Sequence, residues 1–270
     1  MGLNGTRGIL NPEEGLTRFG LARELPPADL AGFVEHFWSV QWDLEGQPPF
    51  EQETLPYPCV HLSFAAAAAA FEVHGPGTRR FVAHLSGRGR VHGTRFKPAG
   101  FFALAAVPMR ELVDRVVTLQ EATGRTAAIP ENAEPAAVRP IVESFLRRIA
   151  PAPDQSADLV NRLVALAQED RHVARADDLA GVAGVSVRSL HRLFERYVGV
   201  GPKWIVRRAR VQEAAERVAR GAHVDWAAVA QELGYHDQAH LIRDFRAQIG
   251  FTPAAYARRC EAAARAVGRG

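Results

Sequence analysis

The sequence predicts an α+β chain in two parts. The first is β-rich and barrel-like with flanking helices, and the second is all-helical, with tandem helix-turn-helix units. Between Thr54 and Ala106, short apolar runs such as CVHLSF (59–64) and FEVH (71–74) alternate with turn residues. Those residues are Pro56, Pro58, Gly75-Pro76-Gly77, Gly87, Gly89, Gly93 and Pro98. Near the C-terminus one pattern occurs twice, each time an acidic start, a short apolar helix, a glycine turn, a capping residue and a second helix. Between these regions Pro151-Ala152-Pro153-Asp154 cannot continue a helix, which divides the chain into residues 1–150 and 151–270.

Composition sets the outer limits. The chain has 270 residues, 47% hydrophobic and 23% charged, so it can bury real cores and is not a disordered protein. Its net charge is only +3, but residues 170–270 hold 17 Lys and Arg against 11 Asp and Glu, whereas residues 1–169 hold 16 against 19. A basic C-terminal part on an acidic N-terminal part points to a polyanionic partner for the former. Cys59 and Cys260 form no CxxC pair, so neither a zinc ribbon nor a redox pair is indicated, and free thiols fit a reducing cytoplasm. No signal peptide is expected at the N-terminus. The longest apolar run, Phe64 to Phe71, is far too short to span a bilayer, so no membrane partner is expected.

Taken in order, Asp29 after Pro26-Pro27 is placed to cap a helix. Val34, Phe37 and Trp38 fit either a short helix or an extended segment. The alanines 65–70 favour helix by propensity, yet their flanks read as strands, so a stretched hairpin connection is expected there. A helical region begins at Glu111–Val116, is interrupted by Pro130, Pro135 and Pro140, and resumes over Ile141–Ile149. Asp154 or Ser156 caps the next helix, which carries Leu159, Leu163 and Leu166. Arg95 and Lys97 share one face of a strand and Phe96 takes the other. With Phe96 in the core, the two cations face outward, and any effector is expected to be apolar or aromatic. Trp38 and Phe102 are the residues expected to hold it. Trp38, Trp42, Phe50, Phe64, Phe96, Phe101 and Phe102 serve equally to line a pocket or to fill a core, with core filling expected first.

The second helices of the repeated units superpose at an offset of 51, Ser186 on Asp237, Leu190 on Leu241 and Phe194 on Phe245. The first helices superpose at 50, Leu179 on Val229 and Ala180 on Ala230, so the second turn is one residue longer. Ser186 and Asp237 are N-cap residues. Leu190, Leu193, Phe194 and Tyr197 form the inward stripe of the first unit; Leu241 and Phe245 do so in the second. Arg188, His191 and Arg192 then fall outside the first stripe, and Gln238, Ile242 and Arg243 outside the second. Arginine matches guanine O6 and N7 bidentately, glutamine matches adenine, and an aliphatic side chain can meet a thymine methyl. Between the units, Gly201-Pro202 opens a helix to about Ala219, long enough for roughly 25 Å at 1.5 Å per residue. Such a strut can space two recognition helices near one duplex turn of about 34 Å. Its Arg207 and Arg208 are expected as phosphate contacts.

These residues resemble the AraC/XylS family of bacterial transcription regulators. The resemblance rests on GPKW (201–204), GYHDQAH (234–240) and FRAQIGFTPAAYAR (245–258). It implies that Arg188, His191, Arg192, Gln238, Ile242 and Arg243 occupy base-reading positions, although Ile242 departs from the small polar residue common there. It implies double-stranded DNA as partner, with a small-molecule effector, RNA polymerase and a second copy of the chain as further partners. The segments LPYPCVHLSF (55–64), VHGPGTR (73–79), GTRFKPAG (93–100) and ELVDR (111–115) resemble a less characterised sensor type attached to such regulators. That likeness names no ligand.

The family reading carries no enzymatic activity, metal or cofactor. Its rivals are a metal-dependent β-barrel enzyme, or a DNA-repair sensor with a sacrificial thiolate, fused to a DNA-binding module. Against them, His61, His74, His84 and His92 show no HxH or HxxxH spacing, and Cys59 stands alone between Pro58 and Val60. A third reading is a pure dimerisation module without ligand.

Overall fold

The computed structural model describes residues 8–55, 57–65, 70–127, 130, 135–170, 173, 175–219 and 225–267. The N-terminal part opens with a short helix α1 (Pro12–Gly15) and strands β1 (Phe19–Glu24), β2 (Val34–Leu44) and β3 (Phe50–Thr54). Strands β4 (His61–Ala65), β5 (Ala70–His74), β6 (Phe81–Leu85) and β7 (Gly87–Phe96) follow. Then come α2 (Met109–Leu112), β8 (Val116–Thr118), α3 (Leu119–Thr123) and α4 (Pro135–Arg148).

The strands form a six-stranded antiparallel sheet in the order β1-β2-β7-β4-β5-β8 and a two-stranded sheet of β3 and β6. Among the described residues the large sheet keeps two edges, β1 and β8, so the part is β-rich without a closed barrel. Strand structure therefore begins at Phe19, well before Thr54. The segment of open character around Val34 is a strand, with a register shift between Val34 and His36. The bulge moves the apolar residues off strict alternation, which is why their spacing also fits a helix. Strands β4 and β5 pair out to Ala65 and Ala70. Residues 66–69 of the alanine run, like Pro56, lie outside the described residues.

Two further expectations are corrected. Gly89 and Gly93 are interior residues of β7 rather than turns, facing Trp42 and Trp38 across the pair. A Cβ on Gly93 would stand 2.1 Å from the Trp38 indole, and one on Gly89 2.1 Å from that of Trp42. Glycine is required there because the indoles lie against the neighbouring backbone. Val116 starts a strand rather than continuing a helix, and Pro140 sits inside α4.

One face of the large sheet, with Phe37, Leu62, Phe64, Val73 and Phe96, packs on Leu112 of α2 and on Val142, Phe145 and Leu146 of α4. Phe96 is fully buried, as expected. Near β3 and β6 a smaller cluster gathers Phe19, Leu44 and Leu85 with Trp42 and Phe50.

The C-terminal part is helical: α5 (Gln155–Glu169), α6 (Ala176–Ala183), α7 (Val187–Tyr197), α8 (Pro202–Ala219), α9 (Trp226–Glu232), α10 (Gln238–Ile249) and α11 (Pro253–Val267). Asp154 caps α5 by accepting from the amides of Ser156 and Ala157, and its second oxygen accepts from the Tyr197 hydroxyl at 2.7 Å. Residues 151–154 are non-helical, yet contacts cross them. Leu10 and Leu55 enter the core formed by α8, α9, α10 and α11. Glu53 of β3 pairs with Arg80 and with Arg259 of α11, and both guanidiniums pack over Phe251.

The face of β7 that carries Arg95 is covered as well, and here the expectation of an outward Arg95 is corrected. Its side chain is only 15% exposed. The Arg95 guanidinium packs over the Tyr57 ring at 3.6 Å, and that of Arg208 from α8 packs over the same ring at 4.6 Å. The Tyr57 hydroxyl donates to Gln168 of α5. The seam between the two parts is thus built from an aromatic ring and two cations as well as from aliphatic contact.

Candidate nucleic-acid interface

The two helix pairs α6–α7 and α9–α10 owe their shape to local chemistry. Ser186 accepts from the Ser189 amide at 3.1 Å, so α7 begins with a satisfied donor. Asp225 accepts from the amides of Ala227 and Ala228 and starts α9; Asp237 accepts from the His240 amide at 2.6 Å and starts α10. Gly184 and Gly234 stand at φ 64° and 67°, left-handed positions that reverse the chain between the helices of each pair. Turn residues 184–186 and 233–237 then separate the helices, the second turn being the longer.

Inside each unit the expected stripe is buried. Leu190, Phe194 and Tyr197 of α7 meet Leu179 and Ala180 of α6. Leu241 and Phe245 of α10 meet Val229 and Ala230 of α9. Helix α8 belongs to both clusters, Ile205 and Val206 in the first and Val211, Ala214 and Val218 in the second. It joins the two units through apolar contact along its length.

Burial of one face leaves another exposed. Arg188 and Arg192 on α7 are exposed, as are Gln238 and Arg243 on α10. His191 and Ile242, which superpose, are both half-buried. His191 leans on the chain after α7, since a Cβ on Gly201 would lie 3.5 Å from its Nδ1. Arg246, one turn beyond Arg243, is likewise exposed on α10.

The strut arginines divide. Arg207 is 38% exposed and pairs with Asp244 of α10 at 3.4 Å, tying strut to second helix. Arg208 is 1% exposed, so the expectation that it contacts phosphate is corrected: it lies inside the seam on Tyr57. The residues expected to hold an effector are also placed. Phe102 stacks on Tyr197 of α7 at 4.4 Å, with Arg196 over it. Trp38 donates through Nε1 to His61 Nδ1 at 3.2 Å, so its indole turns onto Gly93 and His61.

Residues 179–259 match a family described as a helix-turn-helix domain, of the AraC type, and residues 22–118 match a domain of unknown function, DUF6597. The transcriptional activator NphR of Rhodococcus sp is 27% identical over 202 residues, 70% of this chain and 59% of that protein. An uncharacterized HTH-type transcriptional regulator of Haemophilus influenzae is 26% identical over 102 residues, 38% of this chain and 34% of that one. The chain thus spans under two thirds of the length of either curated relative. Among solved structures, ToxT from Vibrio cholerae is 9% identical over 90% of this chain and 98% of its own, with a TM-score of 0.40. The DNA-binding domain of AdpA, solved in complex with a target DNA, is 26% identical over 41% of this chain and 96% of its own, with a TM-score of 0.33. By residues 179–259 and its paired helix-turn-helix units, the C-terminal part of the chain carries a helix-turn-helix domain of the AraC type.

Proposed function

We propose that the chain is a sequence-specific DNA-binding transcription regulator. Residues 151–270 bind duplex DNA, and residues 1–150 act as a sensor or dimerisation domain. The observation that carries this is the pair of capped units on α8, each presenting an exposed arginine, Arg192 and Arg243, at superposed positions of its second helix. Arg188, Arg192, Gln238 and Arg243 reach base edges, His191 and Ile242 touch them from the side, and Arg207 approaches phosphate. The name of the Rhodococcus relative, a transcriptional activator, supports the regulatory reading. A small-molecule effector, RNA polymerase and a second copy of the chain are the further partners of this reading.

The residues on which the rival readings would depend are engaged in other contacts. His61 pairs with Trp38 and Cys59, His74 with Ser63 and Glu72, and His84 with Glu51, while His92 stands on the opposite face of the sheet from His61. Among the described residues, no three His, Cys, Asp or Glu side chains converge as metal ligands. Burial pushes the Cys59 thiol up to about 11, away from the reactive thiolate a repair function needs.

Fluorescence anisotropy of the full chain on mixed-sequence duplex tests the proposal. Log affinity should fall linearly with log salt, with a slope of about −4 to −5 for about five neutralised phosphates. Selection from random duplexes should then return a common site. Retention that is absent or indifferent to salt overturns the reading.

A further inference from the structure

Between the α4-facing side of the large sheet and α4 lies a cavity of about 590 Å³. This is the size of an ordinary small-molecule site. Its lining follows from strand register. Ser39 pairs with His92, His92 with Phe64, and Phe64 with Phe71, which makes one row across β2, β7, β4 and β5. Phe37, Thr94 and Leu62 form the next row, and Gln41 and Arg90 pair on the other side. One end of the cavity is therefore walled by phenyl rings and by Val142 of α4, and the other by Arg90, Gln41, Ser39 and His92.

Charge separates the two arginines that line it. Arg139 is bound by both Glu24 and Glu143, and its guanidinium packs over Phe37 at 5.0 Å, so its charge is balanced within the wall. Arg90 donates to the neutral side chain of Gln41. Among the described residues it has no carboxylate within ion-pair distance. Burial, and then the charge of Arg90, hold the His92 imidazole below its ordinary range, so at neutral pH it is an uncharged ring with one N–H to donate. A fixed cation beside neutral donors, opposite an aromatic wall, is complementary to one kind of molecule.

We propose that this cavity binds a monoanionic carboxylate with an apolar, aromatic-sized body, its carboxylate on Arg90 and its body among Phe37, Phe64 and Phe71. The guanidinium fork matches a carboxylate bidentately. The proposal rests on the reading of residues 1–150 as a sensor, and names the class of its ligand.

The test uses the full chain in isothermal titration with 4-phenylbutyrate, 4-phenylbutan-1-ol and 4-phenylbutylamine. The acid should bind about tenfold more tightly than the alcohol, as hydrogen bonds to a charged group imply, and the amine least well. Arg90→Gln should remove the advantage of the acid and change the affinity for the alcohol much less than that for the acid; Arg90→Lys should restore part of the advantage. Circular dichroism checks that both variants fold. Equal binding of acid and alcohol, an advantage that survives in Arg90→Gln, or no saturable binding of any probe would each overturn the proposal. Anisotropy on a selected duplex, with and without the acid, is read separately. Binding without any change in DNA affinity leaves the ligand site standing and removes its effector role.

Discussion

Replacing Tyr57 by alanine removes the ring on which Arg95 and Arg208 both rest, at 3.6 and 4.6 Å. Each of these contacts is partly withdrawn from water and contributes about 1 kcal/mol, between the exposed and the desolvated limits for a cation over an aromatic face. The hydroxyl donated to Gln168 adds about 1 kcal/mol more. Tyr57→Ala should therefore cost about 3 kcal/mol, and Tyr57→Phe, which keeps both stacks, only about 1 kcal/mol. For a chain of this size a loss of about 3 kcal/mol lowers the melting midpoint by about 6–12 °C. Urea unfolding followed by circular dichroism reads both variants. A double-mutant cycle with Arg208→Met should return a coupling of about 1 kcal/mol, since the two side chains touch. If Tyr57→Ala costs no more than Tyr57→Phe, or if the cycle shows no coupling, the seam is not held in this way and Arg208 is buried for another reason.

On a selected duplex, Arg192→Ala and Arg243→Ala should each weaken binding by about 1–3 kcal/mol and change non-specific binding less, whereas Arg207→Ala should weaken all sequences alike; identical behaviour of the three in anisotropy titrations would refute the division. Gly93→Ala places a Cβ 2.1 Å from the Trp38 indole and should destabilise the fold by about 1–3 kcal/mol in the same urea assay, with Trp38→Ala relieving part of the cost. Burial, reinforced by the charges of Arg95 and Arg23, holds His36 down at about 3, below its unfolded value. The unfolded chain then binds a proton the fold refuses, so stability should fall as pH drops from about 6.5 toward 3, His36 contributing about 1.4 kcal/mol per unit, and His36→Gln should lessen the slope by that share while the part due to the likewise depressed His61 and His74 remains.

What the sequence discloses depends on how far away the deciding residue lies. Ser186 and Asp237 can be read as caps because each bonds an amide three residues on, and Pro202 can be read as the start of α8 because its own ring sets the backbone. Gly89 and Gly93 mislead because a glycine under an indole and a glycine in a turn look alike along the chain. The deciding groups, Trp42 and Trp38, belong to another strand. Arg208 misleads for a similar reason. A basic residue among basic neighbours on a helix is ordinarily solvated, and Tyr57, on which it packs, lies far upstream. The cavity is invisible for a third reason: Phe37, Phe64, Phe71 and Arg90 meet only through cross-strand register, which no local pattern specifies.

Register also places two kinds of site on one strand. Arg90, His92 and Thr94 of β7 face the cavity under α4, while Arg95, next along the chain, turns the other way onto Tyr57 and so toward Arg208 of α8. Helix α8 in turn contributes to the core of both helix-turn-helix units. A ligand biases DNA binding only if it binds one arrangement of these parts better than another, by as much free energy as it shifts. Adjacency along β7 does not supply that difference. The contacts across the seam are where a difference can arise, and they are of two unlike kinds. Leu10 and Leu55 in the second unit's core are non-directional and tolerate small displacements. The stacks on Tyr57, and the pairing of Glu53 with Arg80 and Arg259, depend on direction and distance and are lost over an ångström or two. A change in β7 reaches the seam through Arg95 on the Tyr57 ring, while the aliphatic contacts of Leu10 and Leu55 lie elsewhere along it.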